Sequence, residues 1–241
     1  PFANDKVYAT LIFSTPLMPE NLDVFSRPVT YATLNVQSAD GEDHQLSLEY
    51  TAGGELVTND NKAEVAAQKI ILPNGMPAVR FGRVQQNPLC ESGDQIRCNW
   101  GYAWVVAGSK NAVTELSSTA AAAGKIRCSV ITDLGKTRKT STHLLLAYDD
   151  VKSLVFFDRV LQAWWRRSGK SFEKMLEEAE SDYAGLMSKM SAFDREFQAD
   201  MQRCGGEKYA DIAMLSYRQS FAACKLVDDP NGQPLYFSKE N

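Results

Sequence analysis

The rhythm of hydrophobic and polar positions changes near residue 148. Before it, short runs rich in β-branched and aromatic residues follow one another: "KVYATLIF" (6–13), "PVTYATLNVQ" (28–37), "HQLSLEY" (44–50), "AVRFGRV" (78–84), "GYAWVVAG" (101–108), "IRCSVIT" (126–132) and "HLLLAY" (143–148). Several alternate apolar and polar with period two, which places every second side chain on one face of a strand. Asp40-Gly41, Gly53-Gly54, Pro73-Asn74-Gly75 and Ser92-Gly93-Asp94 are turn signals between them. Many strands at short spacing, with no helix between, predict an antiparallel β-sandwich over residues 1–147. The stretch "STAAAAGK" (118–125) reads as a single helical turn or a loop.

Past Tyr148 the spacing becomes helical. Asp149 or Asp150 is placed to cap a helix over 151–167, in which Val151, Leu154, Val155, Leu161 and Trp165 share one stripe. Phe156, Phe157, Val160 and Trp164 widen it until most of the helix is apolar, so it should be buried on most sides. Ser171 caps a second helix over 172–204, with Phe172, Met175, Leu176, Ala179, Tyr183, Leu186, Met190, Phe193 and Phe197 inward. Gly205-Gly206 ends it, a third helix spans 207–227, and "DDPNGQP" (228–234) is a turn. Residues 148–241 are thus expected to form a helical domain. Three helices cannot cover the apolar faces they carry, so the chain reads as a fragment. Further helices of the same polypeptide, or an oligomer mate, are expected on those faces.

Composition excludes more than it assigns. Hydrophobic residues make up 44% and charged residues 23%, as in ordinary globular proteins, and the net charge of −4 speaks against a nucleic-acid surface. The basic cluster Arg166, Arg167 and Lys170 reads as a solvated helix end. No apolar run is long enough to span a bilayer. The five cysteines include no CxxC pair, although Cys90 and Cys98 are close enough in sequence to bridge a loop. His44 and His143 are the only histidines, so no metal site and no cofactor are expected.

Specific stretches then carry a resemblance. "SRPVTY" (26–31), "AYDDVKSLVFF" (147–157), "WWRR" (164–167), "GGEKYADIAMLSYRQS" (205–220) and "PLYFSKEN" (234–241) occur in an order similar to that in the glutaminase A family. That resemblance implies an N-terminal β-sandwich followed by a helical domain like the six-hairpin (α/α)6 toroids of glycosidases. The helices here would be the first three of a truncated toroid. It also implies a secreted or periplasmic protein that hydrolyses the side-chain amide of L-glutamine to L-glutamate and ammonia. The piece alone is expected to be inactive. Rival expectations are a glycoside hydrolase of the six-hairpin class acting on a saccharide, and a scaffold or carbohydrate-binding module without chemistry of its own.

Amide hydrolysis needs an activated nucleophile or water, a proton donor for the leaving amine and oxyanion stabilisation. Lys239, Glu240 and Asp150 are the candidate catalytic residues. Adjacent side chains on an extended segment point to opposite faces, so Ser238, Lys239 and Glu240 cannot all meet at one atom. Asn241, Arg218 and Tyr148 are the candidate substrate-binding residues. A buried Arg218 would require a carboxylate from the protein or the substrate. Trp164 and Trp165 are expected in core packing, and Arg27 is expected to use its guanidinium fork structurally.

Overall fold

The computed structural model describes residues 1–90, 99–222 and 224–238. Its chain divides into two units, one of Pro1–Thr15 with Pro28–Val151 and one of Pro16–Arg27 with Lys152–Asn241. Antiparallel strands dominate the first part and helices follow, as the periodicity indicates.

The first unit holds β1 (Phe2–Ala3), β2 (Val7–Ser14), β3 (Val29–Ser38), β4 (His44–Gly53), β5 (Glu64–Ile71), β6 (Pro77–Arg83), β7 (Tyr102–Ala107), β8 (Val113–Leu116), β9 (Ala120–Ala122), β10 (Arg127–Thr137) and β11 (Lys139–Asp149). Eight strands form a sheet in the order β1-β2-β3-β11-β7-β6-β5-β9, and β4-β10-β8 form a second sheet. Their facing side chains make one core, including Ala32, Ala52, Val65, Val79, Phe81, Val105, Cys128, Val130 and Leu144. The pleat explains each assignment. Val79 and Phe81 point into the core from β6, while Arg80 between them stacks 3.8 Å over the Tyr102 ring. "HLLLAY" lacks alternation because Leu144 and its neighbour Leu145 are both buried. The stretch expected as a helical turn or loop is β9 followed by a 3-10 turn over Ala123–Lys125.

In the second unit the helix expected over 151–167 is absent, which corrects the capping role given to Asp149 and Asp150. Asp149 accepts the Val151 amide through Oδ1 at 2.9 Å, and Val151 takes a left-handed φ of 55° that no helix start allows. The chain then folds as a hairpin of β12 (Leu154–Phe156) and β13 (Arg159–Ala163), pairing Leu154 with Leu161 and Phe156 with Arg159. Phe157 and Asp158 form the two-residue turn, both with positive φ, as primed hairpin turns require. Leu161, Ala163 and Trp165 are buried while Val160 and Gln162 are exposed, which is strand rhythm and not helical rhythm.

A 3-10 segment (Trp164–Gly169) carries "WWRR", and Trp165 packs edge-on against Phe172 at 5.5 Å, in the core as expected. The basic cluster is paired and not merely solvated: Arg167 binds Asp23 and Lys170 binds Glu178 at 2.7 Å. Residues Leu22–Phe25 form the one-turn helix α1, capped by Asn21, and helix α2 spans Phe172–Gly205 with Ser171 accepting the Lys174 amide. Gly206, at φ 82°, stops α2 with its amide on the Gln202 carbonyl. Helix α3 (Glu207–Ala222) returns along α2, and Tyr217 nests between Phe193 and Phe197. The third predicted helix is therefore shorter than 207–227. Its last residues enter β14 (Cys224–Asp228), which pairs with β13 and with β15 (Pro234–Ser238).

The segment 16–27 is held within the second unit by three kinds of contact. Phe25 meets Phe221 edge-on at 5.0 Å, Tyr217 donates its hydroxyl to the Leu17 carbonyl at 2.6 Å, and Arg27 spans Asp182 and Glu178 on α2. The Asp23 carboxylate takes both guanidinium nitrogens of Arg167, a bidentate pair.

Three measurements test this packing. Phe81→Ala should lower stability by about 3–5 kcal/mol in urea unfolding, because the ring leaves a cavity in the sandwich core. Burial pushes the Cys128 thiol up to about 11. At neutral pH a thiol reagent should therefore label exposed Cys90 and Cys204 promptly and Cys128 only after denaturation. The hydrogen bond from Arg167 holds the Asp23 carboxyl below its ordinary 3.8. The stability this pair supplies is then present above that value and lost as pH falls below it. Because the pair is partly solvent-exposed, its worth is at most about 1 kcal/mol. Asp23→Asn should lower the urea midpoint near neutrality, and the gap from the parent should close in acid.

Candidate functional site

The C-terminal end of β11 brings two of the expected residues to one neighbour. Tyr148 donates its hydroxyl to the carbonyl of Trp100, and the Trp100 indole N–H donates to the Asp150 carbonyl at 2.7 Å. Gln86 fastens the same loop, accepting the Gly101 amide at 2.6 Å and donating to the Arg83 carbonyl at 2.6 Å. Gly101 has φ 89°, and a Cβ there would sit 2.3 Å from the Asp149 carbonyl oxygen, so only glycine fits. These contacts lock the end of the strand to a loop. Asp150 takes part through its backbone carbonyl.

Arg218 lies on α3 and is exposed, so the burial that would have required a carboxylate partner is absent. Lys239, Glu240 and Asn241 lie outside the described residues, as does the Cys98 half of the Cys90–Cys98 pair. Among the described residues no group of three or more His, Cys, Asp or Glu side chains could hold a metal ion.

Ser38, Asp40 and His44 have the composition of a hydrolytic triad but not its wiring. Ser38 Oγ donates to Asp40 Oδ1 at 2.9 Å, and His44 Nε2 meets that same oxygen at 2.8 Å. A triad needs the imidazole on the hydroxyl, with the carboxylate behind it. Here the carboxylate is the hub of the turn, and the Glu42 amide above all, with His44, brings its pKa down to about 2. The cluster is a turn lock.

Two recesses in the second unit gather charged side chains. One, of about 340 Å³, lies along α2 between Arg27, Lys174, Glu178 and Asp182. Its charges satisfy one another: Arg27 Nη1 meets Asp182 at 2.7 Å, and Glu178 receives Lys170. The other, of about 320 Å³, lies between the tips of the β12–β13 and β14–β15 hairpins, where Phe156, Phe157 and Leu161 meet Arg159, Asp229 and Leu235. Asp229 Oδ1 accepts the amides of Asn231 and Gln233 at 2.8 and 2.7 Å, which shapes the turn. Those bonds, the Gln233 amide first, hold its carboxyl below 3.8, and Arg159 adds to the effect. Such a pairing of aromatic, cation and anion suits ligand binding more than bond cleavage.

Sequence periodicity places Phe156 and Phe157 in a helix and gives Arg159 and Asp229 no role. The available signal is "FFDR", an aromatic-rich run with Asp where a tight turn tolerates left-handed backbone. Asp23 and Arg167 are equally invisible in the sequence, because their pairing joins residues 144 positions apart.

Two family models match the chain, and they meet near the end of α2, not where the two units divide. The family described as Domain of unknown function (DUF5127) matches residues 2–127 and 121–200. The Glutaminase A six helical-hairpin domain matches residues 206–241, which take in α3 and the β14–β15 hairpin. No curated protein matches the chain. With most of its length under the first match and the remainder under the second, the chain belongs to the DUF5127 family and is glutaminase A-like.

Proposed function

We propose that the chain contributes to a glutaminase-type amidohydrolase, which converts L-glutamine to L-glutamate and ammonia outside the cytoplasm. The six-hairpin match over residues 206–241 carries this reading. That stretch includes Lys239 and Glu240, candidates for proton transfer, and Asn241, a candidate substrate ligand; Asp150, outside it, is the third proton-transfer candidate. Arg218 keeps its guanidinium in water, where it is available to a substrate carboxylate. Tyr148 would act on the substrate only by leaving the Trp100 carbonyl.

Helix α3 supports the same reading from another side. Tyr209, Ile212 and Leu215 are exposed on it, at 49%, 64% and 57%. Contiguous apolar exposure of this kind usually marks a surface that another element covers. Neighbouring helices of a six-hairpin ring, or an oligomer mate, would cover it.

The test is ammonia release from L-glutamine, followed by an enzyme-coupled assay. A polypeptide that contains this chain together with a whole six-hairpin domain should turn glutamine over, and Lys239→Ala or Glu240→Gln should abolish turnover without loss of fold. The 241-residue chain alone should release none, since residues 206–241 supply one helix and one strand pair of a domain named for six helical hairpins. Hydrolysis of aryl glycosides by the larger polypeptide, with no ammonia from glutamine, would replace this reading with the glycoside-hydrolase one.

A further inference from the structure

Phe157 occupies a turn position that suits an aromatic residue poorly. It is the first residue of the two-residue turn between β12 and β13, with φ 45°, and Asp158 follows at φ 60°. Asn-Gly suits such a turn, whereas a bulky residue there carries steric strain. The ring is 83% exposed, so burial does not offset that strain. Strain kept at an exposed aromatic is the kind of local exception found where a protein binds something.

The surroundings say what would bind. Phe156 braces the Phe157 ring edge-on at 4.5 Å and is itself braced by Phe237 at 5.1 Å. Beside them the recess of about 320 Å³ continues to buried Leu161 and to Leu235. That volume falls at the small end of the roughly 300–1,000 Å³ typical of ligand sites. Arg159 is exposed and donates no hydrogen bond among the described residues, so its N–H groups are available. Asp229 uses Oδ1 on two backbone amides, but among the described residues Oδ2 meets only the Asn231 side-chain amide, at 3.3 Å, and keeps acceptor capacity.

A donor fork and a free acceptor oxygen thus stand beside an exposed ring. A sugar ring complements this set, since its C–H face is apolar and its hydroxyls both donate and accept. A free amino acid would also pair with Arg159 and Asp229, but only an aromatic one would cover the Phe157 ring as well, whereas a pyranose brings an apolar face together with its hydroxyls. We infer that the recess between the β12–β13 and β14–β15 hairpin tips is a binding site for a neutral saccharide, with a pyranose ring stacked on Phe157 and its hydroxyls shared between Arg159 and Asp229. This site is independent of glutamine hydrolysis and stands or falls separately.

Saturation-transfer NMR on the 241-residue chain tests it, with cellotriose, maltotriose, mannotriose and chitotriose at millimolar concentration. At least one should receive saturation. Phe157→Asn should abolish the transfer while leaving the unfolding midpoint equal or higher, because Asn suits the turn better than Phe. Arg159→Ala should weaken binding by about fivefold or more. The inference is overturned if no trisaccharide of the set binds, if Phe157→Asn binds like the parent, or if that variant unfolds more easily, which would make the ring structural. Transfer to free L-phenylalanine or L-glutamine with none to the saccharides would overturn it too, and would assign the recess to amino acids.

Discussion

The Asp149 carboxylate receives the Val151 amide, and the backbone turns left-handed at that residue. The turn they make ends the first unit and sets where the strands of the second begin. The bond closes β11, and the left-handed φ at Val151 is what breaks a helix start, so that 154–163 pair as a hairpin. The second strand of that hairpin, β13, then offers an edge to β14. The same strand delivers the 3-10 turn that carries Trp165 toward Phe172 and Arg167 toward Asp23.

The sequence misleads at the same place. In 151–167 apolar residues are so dense that they satisfy a 3.6-residue period and a two-residue period at once, and only the burial of 161, 163 and 165 decides between them. The strands of the sandwich are legible because their turns are marked by Gly, Asn and Asp. β5 is not, since in "EVAAQKII" Glu64, Ala66, Ala67, Gln68 and Lys69 favour helix, and its strand state comes from pairing with β6 and β9. β14 fails for a similar reason: "CKLVD" continues a helical run, and its pairing with β15 overrides the local preference. α2 is legible at both ends, through Ser171 and Gly206. For the candidate site, residue types can be read but surroundings cannot. Arg218 is visible as a cation in a small-residue helix, and only the fold shows it in water.

Both units commit polar groups to fixed partners. At the end of β11, Tyr148, Gln86 and Trp100 are committed to backbone partners, an arrangement that fixes shape. In the second unit the paired charges of Arg27, Asp182, Glu178 and Lys170 do the same along α2. The recess by Phe157 is different, because its cation and one of its carboxylate oxygens retain unused hydrogen-bonding capacity beside apolar surface. Available polar groups next to exposed rings characterise recognition surfaces, and here they sit on hairpin tips and not in the sandwich core.

Residues 16–27 leave the sandwich between two paired strands, join the second unit and return. The polypeptide therefore passes between the units three times, and no single cut separates them intact. A shortened chain beginning at residue 152 would lack Asp23, Phe25 and Arg27, the partners of Arg167, Phe221 and Asp182. During synthesis these early residues emerge long before their partners do, so the second unit cannot finish folding until most of the chain has been made. The insertion makes the two units one inheritance: evolution can shuffle them only together.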